Sequence, residues 1–296
     1  MTDRPNSDGA VSGLHSDVLA WFDASARDLP WRRDTSPWSV MVSEFMLQQT
    51  PVSRVLPVFE IWMRRWPKPA ALAADPPGEA VRAWGRLGYP RRALRLHASA
   101  TTIVELHGGE VPAERDSLLA LPGVGDYTAS AVASFAFAGR HPVLDTNVRR
   151  VFARVVEGVA FPAPSVTVAE RELAASLMPD RDAHRWAAAT MELGALVCTA
   201  RAPRCGACPV ADRCRWRAAG YPEHGGPPRR GQAWVGTDRQ VRGRLMAAMR
   251  DADGPVPRAV LDATWDDDLQ RERCLDSLVA DGLVEPVTDE LFALPA

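Results

Sequence analysis

Four of the five cysteines fall within the stretch CTARAPRCGACPVADRC, spaced C-x6-C-x2-C-x5-C at Cys198, Cys205, Cys208 and Cys214. Thiols this close in one loop ligate metal, either as a structural zinc site or as the corners of a [4Fe–4S] cube. Zinc sites favour two short cysteine pairs. Here one such pair is flanked by two longer arms, a spacing that suits the cube better. The loop also holds Arg201, Arg204, Arg213, Arg215 and Arg217 against a single acid, Asp212. Arginines fixed on a rigid staple suit phosphate contacts, although a solvated basic loop has the same composition.

A second stretch, LPGVGDYTASAVASFAF from Leu121, places Gly123 and Gly125 in a tight turn before a helix that begins around Tyr127 and Thr128. Glycines let a backbone approach an anion closely, and the amides of the following helix end point at it. This is the pattern of a helix-hairpin-helix turn on a DNA backbone, or of a plain interhelical turn. Two carboxylates stand out nearby. Asp145 in HPVLDTNVRRVFAR precedes a basic helix, and Glu44 in WSVMVSEFMLQQTPVSRV sits in an apolar helical run. A glutamate there is costly to bury without a partner, and burial favours its protonated form.

The elements that must position these groups are helices. Apolar residues recur at helical spacing over 14–200, strand-like alternation is scarce, and Pro or Gly punctuates helix-length segments. The fold class is therefore all-α. GYPEHGGPPRRGQAWVG reads as a linker over 221–236. Beyond it, GTDRQVRGRLMAAMRDADG, PVPRAVLDATW and DLQRERCLDSLVADG read as three helices, followed by two short apolar runs. Residues 237–296 are then a small winged-helix-like domain or a generic helical cap. Cys274 reads as a small core residue of the third helix.

The chain has 296 residues and a net charge of −2, so charge alone names no partner. The first thirteen residues are polar and no run approaches eighteen apolar residues, which leads us to expect a cytoplasmic protein without a membrane span. Clustered cysteines in a reducing compartment agree with metal ligation. Lys68 is the sole lysine among 35 basic residues. A lysine-nucleophile mechanism has that one candidate.

Taken in order, LPWR (29–32), SEFMLQQT (43–50), GRLGY (85–89), LPGVG (121–125), LDTNVRRVFAR (144–154), MELGA (191–195) and the four-cysteine loop resemble the helix-hairpin-helix glycosylases. Within that superfamily the match is to adenine DNA glycosylases of the MutY family, over residues 14–220. The resemblance implies two helical lobes flanking a cleft, a [4Fe–4S] cluster, and an adenine flipped out of double-stranded DNA from a pair with 8-oxoguanine or guanine. It makes Glu44 the general acid for the adenine ring and Asp145 the carboxylate facing the sugar. Tyr127 and Asn147 would support that site. Gln49 and Thr50 would enter the duplex near the estranged base, with Leu87 and Tyr89 as a second wedge. Gly123, Gly125 and Thr128 would meet the DNA backbone, and Arg27, Trp31 and Glu192 would line the adenine pocket. The protein would act as a monomer.

Endonuclease III, which cleaves oxidised pyrimidines through a lysine Schiff base, is the alternative within the superfamily. Tyr127 stands where that lysine would be, so a monofunctional glycosylase is expected. A DNA-binding module without catalysis is a third reading, disfavoured because Glu44 and Asp145 are both present. Two features depart from the family pattern. Asp145-Thr146-Asn147 replaces the usual Asp-Gly-Asn, and residues 237–296 are too few for a Nudix-like lesion-recognition domain.

Overall fold

The computed structural model describes residues 7–225 and 234–296, so half of the expected linker lies outside the described residues. Helices dominate: α1 (Ser7–Ser25), α2 (Pro30–Arg33), α3 (Pro37–Leu47), α4 (Val52–Arg65), α5 (Pro69–Ala73), α6 (Pro77–Trp84) and α7 (Arg91–His107). Then come α8 (Arg115–Leu119), α9 (Asp126–Phe137), α10 (Thr146–Phe152), α11 (Val168–Ser176), α12 (Ala183–Leu196) and α13 (Arg215–Ala218). Prolines at the first turn start α2, α5 and α6, where a missing N–H costs nothing. Thr167 and Glu170 close a reciprocal capping box on α11. In α4 the buried Val55, Phe59 and Trp62 recur at helical spacing and define its core face.

Two compact units result, and neither is contiguous in sequence. The first comprises Met1–Val40, Ala113–Leu119 and Gly125–Pro227. Its core gathers Val18, Val148, Val151, Phe152, Trp186 and Leu193 from α1, α10 and α12. The second comprises Met41–Pro112, Ala120–Val124 and Pro228–Ala296. Here Trp62 meets Trp66 and Trp84 edge-on, with ring centroids 4.7 and 5.5 Å apart.

The C-terminal segment adds α14 (Asp238–Asp251), β1 (Val256–Pro257), α15 (Arg258–Asp262), α16 (Asp268–Ala280), β2 (Glu285–Thr288) and β3 (Leu291–Ala293). The three expected helices are present, but the second is shorter than its sequence pattern, because Val256–Pro257 leave it to pair antiparallel with β3. The sheet order is β1-β3-β2. Cys274 is buried in this segment. The segment docks within its own unit on α6. Gly78 N donates to Pro295 O at 2.8 Å, Arg82 Nη1 donates to Ala252 O at 2.6 Å, and Arg250 Nε donates to Val81 O at 3.2 Å. A side chain at Gly78 would meet Pro295 O at 2.4 Å, so only glycine permits that approach. No described helix is long and apolar enough to cross a membrane.

Candidate active site and cysteine loop

Cys198 follows α12, Cys205 and Cys208 flank a single 3-10 turn (Cys205–Ala207), and Cys214 leads into α13. The four thiols line a pocket whose other walls are mostly apolar, among them Val151, Leu193 and Trp216, with Arg154 and Arg217 as the charged members. Among the described residues no three ligating side chains converge on a single-ion site. Tetrahedral zinc needs four sulfurs drawn to one point, whereas a cube takes one thiolate at each of four separated corners. The donor set, four thiols on one loop at C-x6-C-x2-C-x5-C spacing, fits the cube. Burial pushes the Cys208 thiol up to about 11 and raises Cys198 as well, so the thiolates need a metal's charge to form.

A π-helical turn, Ala153–Glu157, interrupts the helix after α10 and turns Arg154 into this loop. Its buried guanidinium lies 4.5 Å from the Trp216 ring centroid. It donates to Ala160 O at 3.0 Å, Thr199 O at 2.8 Å and Ala200 O at 3.1 Å, with Cys198 Sγ 3.5 Å away. The sequence reading missed Arg154, because it resembles any arginine of a basic helix.

Asp145 is the N-cap of α10. One carboxylate oxygen accepts from the amides of Asn147 at 2.9 Å and Val148 at 2.7 Å; the other accepts from Asn147 Nδ2 at 2.7 Å. Burial raises the proton affinity of this carboxyl and outweighs the three hydrogen bonds that lower it. Asn147 is held in turn: its Oδ1 accepts from Arg150 Nη2 at 2.9 Å. Arg150 also donates to Cys198 O at 2.7 Å and Gly194 O at 2.7 Å. A chain of hydrogen bonds thus runs from Asp145 to the backbone of the first loop cysteine. Gly194 is required there, since a side chain would meet Asn147 Cβ at 2.7 Å. Tyr127, in the first turn of α9, packs against Ala131, Val143 and Ala187.

In the other unit, Glu44 lies on α3 and is 4% exposed, between Ser43 and Phe45, which are buried as well. Beyond the end of α3, Gln49 is exposed with φ 54°, and after α6 Tyr89 is exposed with φ 49°. Their expected companions point the other way. Thr50 is buried and its hydroxyl donates to Leu87 O at 3.3 Å; Leu87 is 3% exposed. Both are buried and anchor their turns from inside, whereas the side chains of Gln49 and Tyr89 are exposed.

Residues 42–174 match the HhH-GPD superfamily of base excision DNA repair proteins, and 198–214 match the iron–sulfur binding domain of endonuclease III. The adenine DNA glycosylase of Mycobacterium tuberculosis (strain H37Rv) is 56% identical over 296 residues, covering 99% of this chain and 97% of the relative. The chain belongs to the adenine DNA glycosylases. The family's Mycolicibacterium smegmatis member is 55% identical over 94% of both chains. A solved thermostable thymine-DNA glycosylase superposes with a TM-score of 0.66 at 26% identity, over 72% of this chain and 99% of its own. The cysteine loop is accordingly the [4Fe–4S] site of a family glycosylase.

Within this glycosylase fold, two more groups of expected residues have partners of their own. Arg27 and Glu192, expected along the adenine pocket, are committed to each other. Arg27 donates to Glu192 through N at 3.0 Å, Nε at 2.8 Å and Nη2 at 2.6 Å, and Arg32 Nη2 adds a bond at 2.9 Å. Glu192 is fully buried, and the desolvation that would raise its pKa is outweighed by these arginines, which hold it at about 2. These ion pairs clamp the segment around α2 to α12. Trp31 beside it is 8% exposed. In the hairpin, Gly123 has φ 77°, and a Cβ there would meet Arg95 Cβ at 2.6 Å; Gly125 caps α9 with open space where its Cβ would be. Thr128 is 2% exposed, so its side chain packs inward and only backbone of this turn remains for an anion.

Proposed function

We propose that the chain hydrolyses the N-glycosidic bond of adenine paired with 8-oxoguanine or guanine in double-stranded DNA, as a cytoplasmic monomer in base excision repair. Residues 14–220 form the glycosylase domain and 237–296 a winged-helix-like appendage. The names of the mycobacterial relatives support adenine as the base. The observation that carries the chemistry is the Asp145 cap: a carboxylate fixed by three hydrogen bonds, with its orienting Asn147 itself held by Arg150.

Breaking the bond leaves positive charge on the sugar and negative charge on the departing base. Glu44, as general acid, supplies a proton to the adenine ring and makes it a neutral leaving group. Asp145, ionised, stabilises the oxocarbenium-like sugar while water adds to it. Asn147 orients Asp145, and Tyr127 packs beside the site. With Tyr127 in place of a lysine there is no amine at that position for a Schiff base, and Lys68 lies outside every motif, so the strand stays intact after excision. The cluster, when bound, supplies a rigid staple that presents Arg201 and Arg215 to phosphates.

A single-turnover assay on labelled duplexes tests this. Adenine opposite 8-oxoguanine or guanine should yield breaks only after hot alkali, and Glu44→Gln should keep DNA binding while excision is lost. Breakage at thymine glycol without alkali would instead mark an endonuclease III chemistry. Persisting excision in Glu44→Gln would remove Glu44 from the acid role.

A further inference from the structure

Among the described residues of the second compact unit, Gln49 and Tyr89 are the non-glycine residues with positive φ. Such backbone is strained, and strain retained at an exposed turn points to function. At Tyr89 the strain is compounded by the following Pro90, whose ring crowds the preceding residue. The two turns are built alike. Each leaves the end of a helix, carries one exposed side chain in the left-handed region, and passes through a proline into the next helix, Pro51 before α4 and Pro90 before α7.

One side chain ties them together. Arg92, in the first turn of α7, is 6% exposed, and its hydrogen-bond partners are backbone carbonyls and one hydroxyl. Its Nη1 donates to Phe45 O at 3.0 Å, Met46 O at 3.3 Å and Gln48 O; its Nη2 donates to Thr50 Oγ1 at 3.1 Å and Gly88 O at 3.0 Å. The guanidinium carbon lies 5.4 Å from the ring centroids of both Tyr89 and Trp84. Burial pulls this guanidinium down to about 10, which leaves it charged at neutral pH. A cation buried among backbone carbonyls that flank both strained residues, and that end the helix bearing Glu44, is placed to hold all three in register.

We propose that Arg92 is a positioning residue that locks the Gln49 turn, the Tyr89 turn and the C-terminal end of α3 into one frame, so that the two exposed side chains meet DNA as a preset pair. The proposal rests on the reading that Gln49 and Tyr89 enter the duplex. No local pattern announces it, because Arg92 stands in PRRALRLH among arginines of identical type.

Arg92→Lys in the full chain keeps the charge but cannot fan donors to five acceptors. Hydrogen exchange on the free protein should show amides of 46–50 and 85–91 exchanging about tenfold faster together, with the rest of the chain and the cluster absorbance unchanged. Acceleration in one segment only, or in neither, overturns the frame. Single-turnover excision of adenine opposite 8-oxoguanine should fall on the order of tenfold or more. In a Gln49→Ala/Tyr89→Ala background the same substitution should cost nothing further; a full additional loss there overturns positioning. If Gln49→Ala/Tyr89→Ala alone leaves excision intact, the duplex-entry reading fails, and the joint exchange result still decides the frame. Arg92→Met serves as a second variant that removes every donor.

Discussion

Burying a carboxylate favours its protonated form, and at Asp145 that effect outweighs the cap hydrogen bonds, so its pKa lies above the ordinary aspartate value of about 3.9. Between those two values the folded protein binds more protons than the unfolded chain. Stability contributed by this group therefore falls as pH rises through the window, and the ionised form is a local cost at neutral pH. Catalysis needs that costly form. The excision rate should accordingly drop on acidification with an apparent pKa above 3.9, read from a single-turnover pH profile. Asp145→Asn keeps an oxygen for the two cap amides and removes the charge. Excision should fall by about 10²–10³-fold while the melting midpoint stays level or rises. A midpoint well below that of the parent would show that the ion, and not the cap, holds α10.

At the scale of elements, the Arg27–Glu192–Arg32 clamp joins the segment around α2 to α12. Glu192 is held at about 2, below the unfolded value near 4.3, so its contribution is present above that unfolded value and is lost as pH falls through about 2. Glu192→Gln leaves two guanidiniums without their counter-charge and should cost about 3 kcal/mol by urea unfolding at neutral pH. The gap between parent and variant should narrow as pH drops from about 5 to about 3. This clamp also shows what the sequence left hidden. Helix periodicity, the cysteine spacing and the hairpin glycines are local signals, and they were legible because local chemistry dictates them. Glu192 meets Arg27 across 165 positions of chain, and MELGA carries no sign of it. Thr50 and Leu87 show a related limit: a motif gives a residue's position along a turn, while burial decides which side chains of that turn face out. The short β1 escaped because its pairing partner, β3, lies some 35 residues away.

At the scale of the whole molecule, charge is segregated. Residues 237–296 hold seven arginines and thirteen acidic residues, a net charge of −6, which leaves +4 for residues 1–236 out of the total of −2. A winged helix that reads DNA needs a basic face, and this appendage has the opposite sign. Four of its seven arginines are paired with acids: Arg258 with Glu272, Arg271 with Asp262 and Asp268, Arg273 with Asp238, and Arg242 with Asp281. The arginines of the cysteine loop are exposed and outnumber its one acid. On the proposed reading the phosphate grip would lie with the cysteine loop and hairpin, while the appendage is hydrogen-bonded to α6. Binding affinity measured against salt concentration separates the two. Arg201→Gln and Arg215→Gln should each reduce the slope of log K against log salt by about 0.9, the value for one released phosphate contact. Neutralising Asp253, Asp266, Asp276 and Asp289 together should leave the slope unchanged. A slope that steepens in that variant would mean that the appendage faces the duplex and that its acids oppose binding.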